Sequence, residues 1–222
     1  MPPLITLVLA RNEAGRDLPD VLARAATFSD QILLLDDRST DGTADLARKH
    51  GAEVRRRAGP AAWGAEAPAR AELWNWGCEV VRDGWLLVCD ADMLLVGDPR
   101  PLTQSWSVNT WSWVLYDLWN ETEARADEFW RGHEFPRPWM VCPNRVPEGW
   151  EATWPARGIH CGHLPSNWPM VAGIVGPEDL YWQHRAYVTP ARRKAKFEQY
   201  QSQFHQMSEP EIQHARSICA LD

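Results

Sequence analysis

The sequence predicts an α/β protein: a mostly parallel sheet with helices on both faces, followed by an irregular C-terminal layer. Three observations carry this. Short, continuous apolar runs recur through the first half of the chain, the pattern of strands buried on both faces. Helical patterns alternate with them at the spacing of strand–helix–strand crossovers, which build parallel sheets. From about Pro99 to Pro190 the chain becomes rich in Trp, Pro, Gly and His and loses clean periodicity.

The elements follow in order. Leu4 to Leu9 is a buried strand that ends in the polar cluster Arg11-Asn12-Glu13. Asp17 to Ala26 carries Leu18, Val21, Leu22 and Ala25 at helical spacing. Gln31 to Leu35 is a second buried strand, stopped by Asp36-Asp37. Ser39-Thr40-Asp41 supplies N-cap chemistry, with Asp41 as the capping acid, for a helix over Thr43 to His50 that Gly51 closes. Ala52 to Arg56 is a candidate third strand and Ala67 to Arg82 a longer helix. Trp85 to Cys89 is another buried strand, stopped by Asp90-Ala91-Asp92. Beyond it, Ser105 to Leu118 alternates enough to hold strands that extend the sheet. Thr189 as N-cap and Pro190 at the first helical position start a helix through Arg192, Lys196 and Tyr200. A short helix over Glu209 to Ile218 follows.

Composition bounds the function. The 222 residues exceed the ~100–200 of one typical domain, which favours one large domain or one with a small appendage. With 45% hydrophobic and 24% charged residues the chain is neither disordered nor fibrous. The net charge of -7 disfavours bulk capture of nucleic acid or of an anionic membrane. Leu4 to Ala10 and Trp85 to Cys89 are the longest apolar runs, far short of the ~20 residues of a spanning helix. No basic segment precedes the first of them, so it does not read as a secretory signal. The five cysteines, an odd number without a dense framework, suit reduced thiols in a cytoplasmic compartment. The 14 Trp offer either core packing or flat faces that stack on sugars and bases.

Three acidic or polar strand ends carry the chemistry, because ligands of parallel sheets bind at the carboxyl ends of the strands. Asp90-Ala91-Asp92 places two carboxylates just past a buried strand. Oxygen ligands of this kind suit Mg²⁺ or Mn²⁺, which bind through one or two carboxylates plus substrate phosphates. The bland alternative is a loop with two solvated acids. Asp36 or Asp37, acceptor-only when ionised, can take hydrogen bonds from a nucleobase N–H or from ribose hydroxyls; otherwise both acids simply cap the following helix.

Taken together, Ile5 to Glu13, Leu35 to Thr43 and Trp85 to Asp92 resemble, in order and spacing, the nucleotide-sugar-binding half of the inverting family 2 glycosyltransferases with the GT-A fold. Ala69-Arg70, near the start of the helix before the Asp-x-Asp strand, fits as well, while Arg38 stands where many members have Gly. Leu115 to Trp119, Arg125 to Trp130, Ile159 to His163, Gln183-His184, Arg192 to Tyr200 and Ser217 to Asp222 are similar to a soluble bacterial or phage branch of that family. The Gln-x-x-Arg-Trp motif of its processive, membrane-bound synthases does not occur.

The resemblance implies one GT-A domain over 1–222, with a nucleotide-sugar-binding half at 1–98 and an acceptor-binding half with the C-terminal helices at 99–222. It implies transfer of a sugar, with inversion, from a nucleoside diphosphate donor (foremost a UDP-sugar) to a hydroxyl of a glycan or glycoconjugate, with Mn²⁺ or Mg²⁺ as cofactor. Carried over residue by residue, Asp92 with Asp90 holds the ion that bridges the diphosphate, and His184 completes the metal site. Asp36 or Asp37, with Ala10, Arg11 and Glu13, holds the nucleoside; Arg70 and Ala91 belong to the donor site, and Arg192 and Lys196 reach phosphate as cations. Asp127 matches the general base, with the adjacent Glu128 as substitute.

These roles answer what the reaction needs. A base must take the acceptor's proton, a contribution of ~10²–10⁴-fold, and positive charge must stabilise the leaving diphosphate. Against them stand plainer readings. Asp127 can be an ion-pair partner of Arg125 or Arg131, and His184 a hydrogen-bonded histidine near the core. His160-Cys161-Gly162-His163, with Cys142, invites a zinc reading, but the paired spacing of such sites is incomplete; an acceptor-pocket or packing role fits better. Trp106, Trp111, Trp113, Trp119, Trp130, Trp139, Trp150 and Trp154 fit core and lid better than sugar platforms, with one or two free to stack on the acceptor. Two rival functions remain at this level. A nucleotidyltransferase would usually carry a Gly-rich basic loop after the first strand, where only Gly15 occurs. A non-catalytic nucleotide-sugar or glycan-binding module has no need of the Asp-x-Asp acids and a base.

Overall fold

In the order of the chain, the apolar runs become strands and the amphipathic stretches become helices. The computed structural model describes residues 1–59, 66–155, 161–170 and 173–219. The first half reads β1 (Leu4–Ala10), α1 (Leu18–Ala25), β2 (Gln31–Asp36), α2 (Thr43–Lys49), β3 (Glu53–Arg56), α3 (Ala67–Val81) and β4 (Trp85–Asp90). These seven elements match the sequence expectation to within a residue or two. Beyond β4 the chain holds more strand than its sequence suggests: β5 (Met93–Val96), β6 (Thr110–Trp113), β7 (Leu115–Asp117), β8 (Arg137–Val141), β9 (Gly173–Val175) and β10 (Tyr181–His184) precede α4 (Pro190–Gln201) and α5 (Glu209–Ser217).

A seven-stranded sheet runs in the order β3-β2-β1-β4-β8-β6-β9. β3, β2, β1 and β4 are mutually parallel. β8 is antiparallel to both of its neighbours, and β9 pairs parallel with β6. The expected mostly parallel sheet is therefore present, with one reversed strand. Register sets the site: Ala10 lies beside Asp36 on one side, and Leu9 beside Asp90 on the other. A smaller sheet, β5-β10-β7, stands apart from the first. Ser105 to Leu118 thus splits, β6 extending the large sheet as expected and β7 joining the small one instead.

Burial explains the order of the large sheet. Leu4, Leu7, Val8, Leu33, Leu34, Leu35, Leu86 and Leu87 are at most 1% exposed. Each such side chain contributes roughly 1.5–3 kcal/mol relative to exposure. One glycine is required by close approach: a Cβ on Gly77 of α3 would lie 2.8 Å from Leu7 Cδ1. The tryptophans divide much as expected. Trp113, Trp130 and Trp139 are fully buried, and Trp111, Trp150 and Trp154 pack partly buried against the core. Trp106 alone among those eight is strongly exposed. Trp119, Trp130, Tyr187, Tyr200 and Ile218 belong to a second cluster under α4 and α5.

The caps follow the sequence. Thr189 Oγ1 accepts the Arg192 N–H at 3.2 Å, and Ser208 forms a capping box with Glu211. Asp41 accepts the Thr43 N–H at 3.0 Å, from the position before the N-cap, Gly42. Among the described residues no helix is long and apolar enough to cross a membrane. Cys78, Cys89, Cys142 and Cys161 are free thiols.

Candidate active site

The carboxyl ends of β1 and β2 are laced together by their own polar residues. Asp37 N–H donates to the Ala10 carbonyl at 2.9 Å, and Asn12 N–H to Ser39 Oγ at 2.9 Å. Glu13 N–H donates to Thr43 Oγ1 at 2.8 Å, and Thr40 N–H to Asn12 Oδ1 at 2.8 Å. Two residues there take the left-handed conformation, Asn12 at φ 57° and Arg38 at φ 62°. Asn tolerates this region. Arg38, standing where a Gly would be unstrained, is tethered by Nη1 to the Ala58 and Gly59 carbonyls at 3.1 and 3.3 Å.

This lacing separates the two acids of Asp36-Asp37. Asp36 is 1% exposed, accepts the Ser39 N–H at 2.9 Å, and lies 3.8 Å from Arg56 Nε. It holds the turn. Asp37 lines a cavity of about 500 Å³ and pairs with Arg57 Nη1 at 3.1 Å.

That cavity gathers Ala10, Arg11, Glu13, Asp37, Arg70, Asp90, Ala91, Asp92, His184 and Lys196, all expected from the sequence. It adds Leu9, Asn12, Arg16, Glu66 and Gln199. A neighbouring cavity of about 390 Å³ shares Glu66, Arg70, Asp90, His184 and Lys196 with it, and adds Asp117, Arg137, Trp139, His163 and Tyr187 among others. The two spaces share Asp90 at the Asp-x-Asp strand end.

Within the triplet the two acids differ. Asp90 Oδ1 accepts from Arg70 Nη2 at 2.5 Å, and Oδ2 from His163 Nε2 at 2.9 Å. Burial alone would raise the Asp90 carboxyl; Arg70 and His163 outweigh it and hold it well below the usual carboxylate range. Asp92 keeps its carboxylate turned to His184, with Oδ1 3.7 Å from Nε2. His184 Nδ1 lies 2.6 Å from Asp117 Oδ1. Burial works against a charged His184, but Asp92 and Asp117 overcome it and raise its pKa. Lys196 shows the same balance: burial opposes its charge, and Tyr200, Asp92, Asp90 and Glu66 favour it.

Two further acids are disturbed by burial. Glu13 is raised to about 7, first by desolvation and then by Asp92, against Arg16. Its Oε2 is buried without a hydrogen-bond partner among the described residues. Glu66 is raised by desolvation, against Arg70.

Asp92 and His184 offer one oxygen and one nitrogen to a divalent ion. Among the described residues no three His, Cys, Asp or Glu side chains form a ready cage. Two protein ligands with the rest of the shell left for diphosphate oxygens and water is the usual condition of Mg²⁺ or Mn²⁺ in phosphate-handling sites. The donor set fits the expected cofactor.

Other expected residues lie elsewhere. Arg192 Nη1 binds Asp17 Oδ2 at 2.6 Å and the Arg185 carbonyl at 3.0 Å, and lines neither cavity. Asp127 also lines neither. Its Oδ1 accepts the Phe129 and Trp130 N–H groups at 2.9 and 3.2 Å, and its Oδ2 takes Arg125 Nε at 2.6 Å. Burial is the largest single influence and would raise the Asp127 carboxyl; Arg125 and the two amides together outweigh it and lower it. Glu128 is exposed on the same turn. His163 turns to Asp90, while Ile159 and His160, like 220–222, lie outside the described residues. Glu66 and Asp117 carried no assigned role in the sequence, although Asp117 sits inside the Leu115 to Trp119 segment of the resemblance. A lone acid inside an apolar alternation was the available signal.

No family model matches the chain. Uncharacterized proteins of Mycobacterium bovis and Mycobacterium tuberculosis are each 37% identical to it over 100 residues, 43% of this chain and 24% of theirs. The matched segment is thus about a quarter of the length of those relatives. Among solved structures, Staphylococcus aureus TarS overlays 98% of this chain and 42% of its own, with TM-score 0.53 and 12% identity. Mannosyl-3-phosphoglycerate synthase from Rubrobacter xylanophilus overlays 57% of this chain and 43% of its own, with TM-score 0.39 and 20% identity. At these identities the likeness speaks of fold alone. The nearly complete overlay on TarS, with the strand order above, leaves one conclusion: the chain has the GT-A type of α/β fold that its sequence resembles.

Proposed function

We propose that the chain is a metal-dependent, inverting glycosyltransferase that moves a sugar from a nucleoside diphosphate to a hydroxyl acceptor by direct displacement. The observation that carries this is the convergence of Asp37, Asp90, Asp92, His184 and Lys196 on one cavity at the carboxyl ends of β1, β2 and β4. Asp37 with Arg11 and Glu13 would receive the nucleoside. Arg70 and Lys196 put fixed positive charge where the diphosphate leaves, and Asp90 keeps Arg70 in place. Asp92 and His184 would hold the divalent ion, which, when bound, supplies Lewis-acid stabilisation of the leaving diphosphate.

The base has a third candidate beside Asp127 and its substitute Glu128. Asp127 is assigned by its motif. Glu66 lines both cavities, and burial raises its carboxyl above the usual range, the direction that favours proton uptake by a base. Substitution of the base lowers turnover by about 10²–10⁴-fold while leaving donor binding intact. Asp127→Asn and Glu66→Gln, assayed side by side, distinguish them. The function itself is tested by incubating the protein with Mn²⁺ and a panel of nucleotide-sugars, UDP-sugars first, with glycan acceptors. Release of free nucleoside diphosphate supports the proposal. Release of pyrophosphate from a nucleoside triphosphate and a sugar phosphate instead would make the chain a nucleotidyltransferase, and donor binding without turnover would make it a binding module.

A further inference from the structure

The small sheet β5-β10-β7 has a chemical consequence. Its register pairs His184 with Asp117 across β10 and β7, and with Met93, the residue after Asp92, across β10 and β5. One histidine is thereby held between two carboxylates, Asp117 Oδ1 at 2.6 Å from Nδ1 and Asp92 Oδ1 at 3.7 Å from Nε2. The backbone fixes this placement twice more: Leu118 N–H donates to the His184 carbonyl at 2.9 Å, and Arg125 N–H to the Asp117 carbonyl at 2.9 Å. Tyr187 packs edge-on against the imidazole at 5.3 Å. The ring therefore has little freedom to turn.

A neutral imidazole carries one N–H, and which nitrogen is left with the lone pair is set by the hydrogen bond that the other makes. An ionised Asp117 is acceptor-only, so it claims the proton at Nδ1. The Nε2 lone pair is then left facing Asp92 and the cavity. Without Asp117 the proton can move to Nε2, where it would point at Asp92 and tie the two candidate ligands to each other.

We propose that Asp117 is a positioning residue for the divalent-cation site, fixing His184 as the Nδ1–H tautomer with its Nε2 free for the ion. The inference rests on the reading of Asp92 and His184 as cation ligands. Partners of this kind typically set metal affinity by 10–100-fold.

The test has two readouts on the full chain. In the metal-free protein at alkaline pH, the ¹⁵N shifts of His184 report the tautomer. Wild type shows Nδ1–H; Asp117→Ala loses that preference. In parallel, Mn²⁺ titration followed by electron paramagnetic resonance, with UDP present, compares wild type, Asp117→Ala, Asp117→Asn and His184→Ala. The expected result is Mn²⁺ binding by wild type, weakened about 10–100-fold in Asp117→Ala and at least as far in His184→Ala. Asp117→Asn keeps an acceptor oxygen and is expected to retain the tautomer; should the Ala variant not fold, Asp117→Leu, close in shape and unable to accept from Nδ1–H, is read in its place. An unchanged tautomer and unchanged Mn²⁺ affinity in folded Asp117→Ala or Asp117→Leu, with His184→Ala impaired, overturns the role of Asp117 alone. Equal Mn²⁺ affinity in His184→Ala and wild type overturns the cation site and this inference with it.

Discussion

The large and small sheets meet at Asp90-Ala91-Asp92 and treat its two acids differently. Asp90 is the last residue of β4 in the seven-stranded sheet, and both its oxygens are taken by Arg70 and His163. Asp92 leads into β5 of the three-stranded sheet and faces His184. One acid of the pair organises the site and the other is available to a ligand. An Asp-x-Asp triplet is therefore two different sites two residues apart, and the sheet to which each acid belongs decides which is which.

The largest expected effect tests that division. Asp92→Asn lowers sugar transfer by about 10²–10³-fold, the usual cost of removing one group that stabilises developing charge, with little change in urea midpoint. Asp90→Asn leaves the buried Arg70 with a weakened partner. It costs stability of about 2–3 kcal/mol, discounted for the partial exposure of Asp90. Loss of stability in the Asp92 variant and not in the Asp90 variant would reverse the assignment.

The next effect concerns Glu13, at the β1 end of the large sheet. Its folded pKa of about 7 lies above the ordinary 4.5. Between those values the folded state holds a proton that the unfolded state has released, so stability falls as pH rises through this window. The loss is complete above the folded pKa and amounts to up to about 3 kcal/mol. Glu13→Gln flattens that fall, which urea unfolding at a series of pH values measures; an unchanged slope would assign it to another group.

The smallest effect is at Arg38. Arg38→Gly relieves a left-handed residue, worth roughly 1–2 kcal/mol, but loses the tether to Ala58 and Gly59, each hydrogen bond worth about 0.5–1.5 kcal/mol. The two nearly cancel, so the unfolding midpoint should barely move. A marked drop would show that the 57–59 segment depends on this side chain.

Legibility followed the same boundary between sheets. β1, β2 and β4 are buried on both faces, so their sequences are unbroken apolar runs that no other environment explains as well. Their polar ends could be read as a site for the same reason. β5, β7 and β10 are three or four residues each, and their partners lie far apart in sequence. Nothing local announces such a sheet, and so the partnership of Asp117 with His184 was not legible even though His184 was. Pro138 inside β8 further masked a strand that pairs only in part with β4. Asp127 illustrates the opposite case: a motif position whose carboxylate is engaged by a turn and an arginine. Sequence order carried its assignment, and hydrogen-bond geometry is invisible at that level.

The central claim is that Asp92 and His184 join a nucleoside diphosphate to the protein through a divalent ion. Calorimetric titration of UDP into the protein, with Mn²⁺ and then with chelator, measures it most directly. Uptake with Mn²⁺ that is lost in chelator and in Asp92→Asn is the predicted result. Absence of uptake for UDP and every other nucleoside diphosphate in the presence of Mn²⁺, or identical uptake by wild type and Asp92→Asn, would contradict it.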